Sequence, residues 1–426
     1  MMNAIKGLVD ESRLCRDGKP CSLASLGYTD VGLDDCWQAC GNYGPDNNTY
    51  HDEHGTPQIN FTKFPSMLKW TQFAHDNNLT AGWYHNNCRC HDHCTSTLCF
   101  AADVEATIAL GFDSVKLDGC GAEEDVALWD SMFNHSLREK GGTAGGKPGM
   151  LIENCHNGQY IKGPGASTWP RPNGTNGYRL TNMPYFDEHG ELQCPYHLYR
   201  SSTDIVPVFG SVLVNLNTIP ALADAHLSQP GCWAYPDMLE VGVKKAVSPN
   251  FPTLTATETQ THFGAWCIVS APLTLSMDLT DKEVLDANWA LITNKEALDV
   301  NQDWAGFSGS LFKESSDLVP FSPCHWGTPN KPDQCMFPAE QFWYKPLSGR
   351  DARQSVMAVL LMNNDVVPRN LSFAFNEVPG LKSKASTDFS LFDVWSQEVL
   401  VSSQYGGYEA LDVPSHGSVF LKIANA

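Results

Sequence analysis

The feature that most limits the fold of this chain is the regular exchange of apolar strands and amphipathic helices along its first 155 residues. LTAGWYH (79–85), DSVKLDG (113–119) and GMLIENC (149–155) read as strands, and YTDVGLD (28–34) as an earlier short one. FPSMLKWTQFAHDNN (64–78), AADVEATIALGF (101–112) and EDVALWDSMFNHSLREK (124–140) read as helices. Strand and helix alternating at this spacing implies a parallel sheet with crossover helices. Pieces of the rhythm continue to about residue 300, a length that favours a (β/α)8 barrel over a doubly wound sheet. After NQDWAG (301–306) the rhythm changes. QSVMAVLLMNN, LSFAFNEV, FSLFDVW and SVFLKIA are apolar runs separated by turns, with no helical period, as in a C-terminal antiparallel β-sandwich. The expected division is therefore a barrel over 1–306 and a sandwich over 307–426. Residues 141–149 and 163–178 are Gly/Pro-rich and expected to be loops.

Composition narrows the function classes. A formal net charge of −20 argues against a nucleic-acid partner. No apolar run is long enough for a membrane span. Fifteen cysteines, several of them clustered, accompany glycosylation sequons at Asn47, Asn60, Asn78, Asn134, Asn173 and Asn370. Together they favour an oxidising, secretory setting, extracellular or lysosomal/vacuolar. The odd cysteine count leaves at least one thiol without a partner in this chain. CRCHDHC (88–94) offers Cys88, Cys90, His91, His93 and Cys94 as zinc ligands, but lacks two well-separated ligand pairs, so disulfides are the preferred reading. His51, His54 and His75 read as exposed.

In a barrel of this kind the chemistry lies at the C-terminal ends of the strands. Lys116 and Asp118 fall on one face of the strand whose other face is Val115 and Leu117. Charges at such a position are costly unless paired or used. Asp34 and Asp35 end an earlier strand, Glu153 and His156 flank the end of a later one, and Asp204 follows Arg200 in YRSSTDI. Several strands delivering carboxylates to one face suits a glycosidase, with a nucleophile and a general acid about 5–5.5 Å apart if it retains configuration. Each residue alone has a plainer reading. Asp34–Asp35 and Asp118–Gly119 are turn pairs, Asp204 a helix cap, and Lys116 and Arg200 surface charges. Glu153 reads as a supporting group rather than a catalytic one.

The pieces VGLDDCW, TAGWYH, VKLDGC, RSSTDI, PGCWAYPDML, SAPLTLSMDL and NQDWAG reverse those odds together. In this order the chain resembles glycoside hydrolase family 27, the α-galactosidase and α-N-acetylgalactosaminidase (melibiase-like) family. The resemblance spans roughly residues 28–306, and the C-terminal strands resemble the family's β-sandwich. It implies a retaining exo-α-galactosidase working by double displacement, with Asp118 as nucleophile and Asp204 as general acid/base. It implies that Lys116 and Arg200 bind sugar hydroxyls, and that Lys116 holds Asp118 ionised. Asp34 and Asp35 match the aspartates that hold the 4- and 6-hydroxyls, and Tyr84 and Asp237 match further pocket positions. Cys120 and Cys155 match disulfide positions at the pocket wall, which makes Cys88 and Cys194 disulfide candidates too.

The resemblance implies no cofactor and no metal, and a carbohydrate with terminal α-galactose as substrate. It leaves room for a homodimer. Three departures bear on it. The N-terminus lacks a signal-peptide core and the family's first strand with its pocket Trp, so a chain short of both is expected. His156 stands where the galactosidases carry Glu and the N-acetylgalactosaminidases a small residue. Ala234–Tyr235 replace Asn-Asp. α-N-Acetylgalactosaminidase or β-L-arabinopyranosidase specificity, or a carbohydrate-binding protein with weakened catalysis, are the alternative readings.

Overall fold

The computed structural model describes residues 2–41, 49–86, 90, 94, 96–139, 143–144, 147–155, 183–244, 253–324, 334–381 and 388–426. They form two compact units, Met1–Arg200 and Ser201–Ala426.

In the first unit, α1 (Met2–Val9) buries Ile5 and Leu8. A hairpin of Arg13–Leu14 with Pro20–Cys21 follows, tied by the Cys15–Cys21 disulfide. Then β1 (Asp30–Gly32), β2 (Thr80–His85), β3 (Ser114–Asp118), β4 (Leu151–Cys155) and β5 (Leu198–Arg200) lie side by side in that order, all parallel. The crossovers carry α2 (Met67–Asp76), α3 (Thr97–Ala109) and α4 (Val126–Glu139). Ser66 and Ser96 cap α2 and α3 by accepting from Lys69 N and Leu98 N, which satisfies backbone donors the first turn leaves open. The core is aromatic: Trp83 packs on Phe112 and Trp37 at centroid distances of 4.7 and 4.6 Å.

Two expectations are corrected here. Thr143–Ala144 pair antiparallel with Lys147–Pro148, so the 141–149 segment holds a short hairpin; residues 163–178 lie outside the described residues. Of the three histidines read as exposed, only His54 is. His51 is buried with its Nε2 2.9 Å from Asp103 Oδ1, and His75 is half-buried with its Nε2 2.8 Å from Asp113 Oδ2. Buried carboxylate partners outweigh the polar surroundings each has in sequence.

The second unit begins with α5 (Phe209–Leu216), α6 (Ile219–Asp224) and β6 (Trp233–Tyr235), followed by α7 (Ala256–Ile268), α8 (Lys282–Ile292) and α9 (Lys295–Gln302). A capping box of Thr255 and Glu258 starts α7, and its residues from Thr261 to Ile268 are all buried. A helix stretch enclosed on every side must be apolar or hydrogen-bonded: FGAWCI is apolar all round, and Thr261 Oγ1 donates to His416 O at 2.8 Å. Beyond it, β7 (Ser310–Glu314), β8 (Glu340–Pro346), β9 (Ser355–Asn363), β10 (Arg369–Ala374), β11 (Phe389–Asp393), β12 (Glu398–Gln404), β13 (Gly407–Val413) and β14 (Ser418–Asn425) form two antiparallel layers. One sheet has the order β7-β8-β9-β14-β11-β12, and β10 pairs with β13 in the other. Alternate residues Met357, Val359 and Leu361 of β9 and Leu421 and Ile423 of β14 meet Leu371 and Phe373 of β10 in one core. Strands β12 and β13 escape a reading for apolar runs because most of their side chains are exposed or half-buried. Among the described residues no helix is long and apolar enough to cross a membrane.

One glycine carries an unusual constraint. Gly309 has φ +108°, and a Cβ there would lie 2.0 Å from Ile268 O, at the end of α7. Gly309→Ala is expected to cost about 3 kcal/mol or more. A urea or thermal titration checks it; a loss within 0.5 kcal/mol would contradict this packing.

Candidate active site

Parallel register brings the first unit's charged groups together. Tyr84, Lys116 and Glu153 stand opposite one another on β2, β3 and β4. Two residues on, Asp118 stands opposite Cys155, and Arg200 ends β5. Alternate strand residues share a face, so Lys116 with Asp118, and Glu153 with Cys155, point to the same side. The Tyr84 hydroxyl donates to Asp118 Oδ2. Lys116 Nζ donates to Asp34 Oδ2 at 2.7 Å and lies 5.3 Å from the Tyr84 ring centroid. Asp34 Oδ1 accepts Asp35 N at 2.7 Å, and Asp35 Oδ1 accepts Cys36 N at 2.6 Å. The aspartate pair is thus shaped by consecutive backbone donors after β1, in a bend where Cys36 has φ 75°.

The electrostatics follow from burial and neighbours. Burial of Lys116 by itself would lower its pKa, but Glu153, Cys155 and Asp34 outweigh it and hold the ammonium well above the usual lysine value. Burial first, and the Asp118 charge second, push the Tyr84 hydroxyl above its ordinary range, so it remains a donor. Arg200 is buried and its Nη1 donates to Cys155 Sγ at 3.6 Å. Cys155, a disulfide candidate by resemblance, is instead a buried thiol. Its sulfur serves Arg200 as an acceptor at the strand end. Cys120 and Cys194 are disulfide-bonded. Cys88 and His156 lie outside the described residues.

Two supporting groups were not singled out from sequence. Asn86 Nδ2 donates to Asp118 O at 2.6 Å, and Asn86 O accepts Gly121 N at 2.8 Å. Asn86 has φ 54°, a conformation Asn tolerates better than most residues, and Asn-Asn just past a strand was the available signal. Trp37 Nε1 donates to Tyr84 O at 2.8 Å and so fixes the backbone under the tyrosine. The described cysteines of CRCHDHC are in disulfides, Cys40–Cys90 and Cys94–Cys99. His51 lies with Cys94 and Cys99 within 4.8 Å, but those two sulfurs are bonded to each other.

Behind the strands His85 is fully buried, its Nε2 2.8 Å from Thr107 Oγ1, and burial pushes its pKa down to about 4. The unfolded chain, with histidine near 6.5, then binds the extra proton as pH falls below 6.5, so stability is lost down to about pH 4. The expected loss by pH 4.5 is about 2–3 kcal/mol. His85→Asn should narrow the gap in Tm between pH 7 and 4.5; an unchanged gap would contradict this assignment.

In the second unit, Asp204 is exposed while Ile205 beside it is buried. Ile205 N donates to Asp237 Oδ2 at 2.8 Å and Met238 N to Asp237 Oδ1 at 2.7 Å. Trp266 Nε1 of α7 donates to Asp237 O at 2.7 Å, and one turn earlier His262 Nε2 accepts Glu240 N at 2.9 Å. Asp237 is therefore buried in a segment gripped by α7, with φ 83°. Burial, then Asp237, push the Glu240 carboxyl up to about 8. Ala234 and Tyr235 are buried in β6, and Tyr235 O accepts Ser201 N at 3.0 Å, so backbone bonds support this segment.

Chemically, the first unit offers a carboxylate held by a phenol donor, next to a lysine, an arginine and an aspartate pair. Such a set can attack an electrophilic carbon and bind vicinal hydroxyls.

Comparison with known proteins points the same way. A family model described as Alpha galactosidase A matches residues 12–161 and 178–303, and one described as Alpha galactosidase C-terminal beta sandwich domain matches 339–423. The chain is 26% identical over 435 residues to "Probable alpha-galactosidase B" of Talaromyces emersonii, covering 94% of this chain and 85% of that protein. It is 24% identical over 403 residues to "Alpha-galactosidase" of Cyamopsis tetragonoloba, covering 92% and 76%. The crystal structure of alpha-galactosidase I from Mortierella vinacea superposes with a TM-score of 0.68 at 20% identity, covering 100% of this chain and 92% of that one. The likeness establishes the architecture, a (β/α)8 barrel followed by an antiparallel β-sandwich.

Proposed function

The chain belongs to the melibiase-like α-galactosidase family, glycoside hydrolase family 27, and from that premise we propose that it removes terminal α-galactosyl residues by retaining double displacement. Asp118 attacks the anomeric carbon while Asp204 protonates the departing oxygen. The galactosyl ester on Asp118 is then displaced by water, whose proton Asp204 takes. Asp34, Asp35, Tyr84, Lys116, Arg200 and Asp237 bind or position the sugar, roles the resemblance implies.

The observation that carries this reading is the bond from Tyr84 to Asp118 Oδ2 beside the Lys116–Asp34 ion pair, at the C-terminal end of neighbouring parallel strands. A hydroxyl donating to a carboxylate keeps it ionised and aimed, which a nucleophile needs. The test is hydrolysis of 4-nitrophenyl α-galactoside beside the α-N-acetylgalactosaminide and the β-L-arabinopyranoside. Turnover of the galactoside in clear preference supports the reading. Preference for either of the others, or none at all from folded protein, overturns it.

The change from helices to antiparallel strands supports a boundary between catalytic and sandwich domains near residue 306. The disulfides and the exposed sequon asparagines Asn78 and Asn370 support passage through a secretory compartment, extracellular or lysosomal. Protein from its own cells should shift in mobility when N-glycans are enzymatically removed; no shift would count against that route.

A further inference from the structure

Asp204 follows no long strand and caps no helix, yet a general acid must be held to within a fraction of an ångström. The segment around it is gripped by α5. Asn215 is fully buried, and its Nδ2 donates to Thr203 O and to Pro236 O, both at 3.0 Å. Both partners are carbonyls, which accept only, so the amide nitrogen must be the atom that meets them. One turn earlier on the same face of α5, Ser211 Oγ accepts Val206 N at 3.1 Å. Ile205 N is held by Asp237 Oδ2. Residues 203, 205 and 206 are thus each tied down, and Asp204 is the member of the run left exposed. Asn215 joins the residue before Asp204 to the residue before Asp237. Its place in the apolar helix FGSVLVNL is costly unless those bonds are made, and its Oδ1 has no hydrogen-bond partner among the described residues.

We propose that Asn215 is a positioning residue for catalysis: by bonding Thr203 O and Pro236 O it sets the direction of the Asp204 carboxyl relative to the departing oxygen. The inference rests on the acid/base reading of Asp204. Asn215 touches no substrate. It acts through Asp204 in both displacements, but kcat/KM reports only the steps up to the galactosyl ester, where a proton reaches the leaving group, so the loss in kcat/KM must scale with how much that group needs the proton.

The experiment compares kcat/KM on methyl α-galactoside, whose alkoxide leaves only when protonated, with α-galactosyl fluoride, whose fluoride needs little help. Asn215→Leu keeps the side chain's bulk and removes both donors. It should lose about 10–100-fold on the methyl glycoside and less than about threefold on the fluoride. Equal losses on both substrates, or none on either, overturn the proposal. Asn215→Ser, which keeps one donor, is read the same way should the leucine variant not fold, with a smaller but still selective loss. Asp204→Asn is run beside them. If it shows no selectivity between the two substrates, the acid/base reading has failed. If it is selective and the Asn215 variants are not, the positioning role alone has failed.

Discussion

Asp118→Asn is expected to lower turnover of α-galactosides by about 10^4-fold or more, with the fold intact. The amide occupies the same volume, and its oxygen can still accept from the Tyr84 hydroxyl that now meets Asp118 Oδ2. Asn86 still holds the backbone carbonyl of residue 118. What disappears is the anionic oxygen that forms the galactosyl ester, and no neighbouring group replaces it in the same register. Lys116 is a cation, and Glu153 stands opposite Lys116 rather than opposite Asp118. A smaller variant, Asp118→Gly, leaves room for azide on the nucleophile's side of the sugar. It should convert an activated α-galactoside to the β-galactosyl azide, the inverted product. Activity of Asp118→Asn within tenfold of the parent, in folded protein freed of contaminating enzyme, would remove Asp118 from the nucleophile's role.

Lys116→Met is the second large effect. Lys116 is bonded to Asp34 at 2.7 Å, and Glu153, Cys155 and Asp34 together hold it charged against the cost of burial. Removing it leaves those groups without their shared cation. Asp34 is more than half exposed, so the cost to stability is modest; the larger expected effect is a fall in kcat/KM of roughly 10^2–10^3-fold, from loss of the cation proposed to bind the sugar. Lys116→Arg should restore much of the stability but not the rate, because a planar guanidinium cannot reproduce an ammonium's contacts. The pH signature is specific. With its pKa raised in the folded state, Lys116 contributes stability fully below about 10.5, lost only as pH climbs through the folded value. The titration of Lys116 itself therefore adds no slope between pH 5 and 8 to the stability gap between the parent and Lys116→Met. A gap that opens or closes within that range would assign the effect to another group.

How far the site could be read in advance depends on what each residue's role requires. The strands carrying Tyr84, Lys116, Asp118 and Glu153 announce themselves by apolar alternation, and parallel register then brings the charged residues together. That Lys116 pairs with Asp34, 82 residues away, has no local signature. The carboxylate partners of the buried His51 and half-buried His75 have no local signature either: Asp103 and Asp113 are distant in sequence. Cys155 illustrates the limit of resemblance, because its sulfur meets Arg200 and is not half of a disulfide. Asn86 and Asn215 support the two proposed catalytic carboxylates through backbone atoms, so nothing in Asp118 or Asp204 points to them. Only an asparagine out of place, one just past a strand and one inside an apolar helix, hinted at either.

In the proposed mechanism Asp118 carries the galactosyl ester. An activated 2-deoxy-2,2-difluoro-α-galactoside would slow the second displacement and trap the intermediate. Peptide mass spectrometry of the inactivated enzyme should find one galactosyl-derived adduct, on Asp118. An adduct on another carboxylate would reassign the nucleophile. Inversion of configuration in the product of an ordinary α-galactoside, with no adduct anywhere, would contradict the double displacement itself.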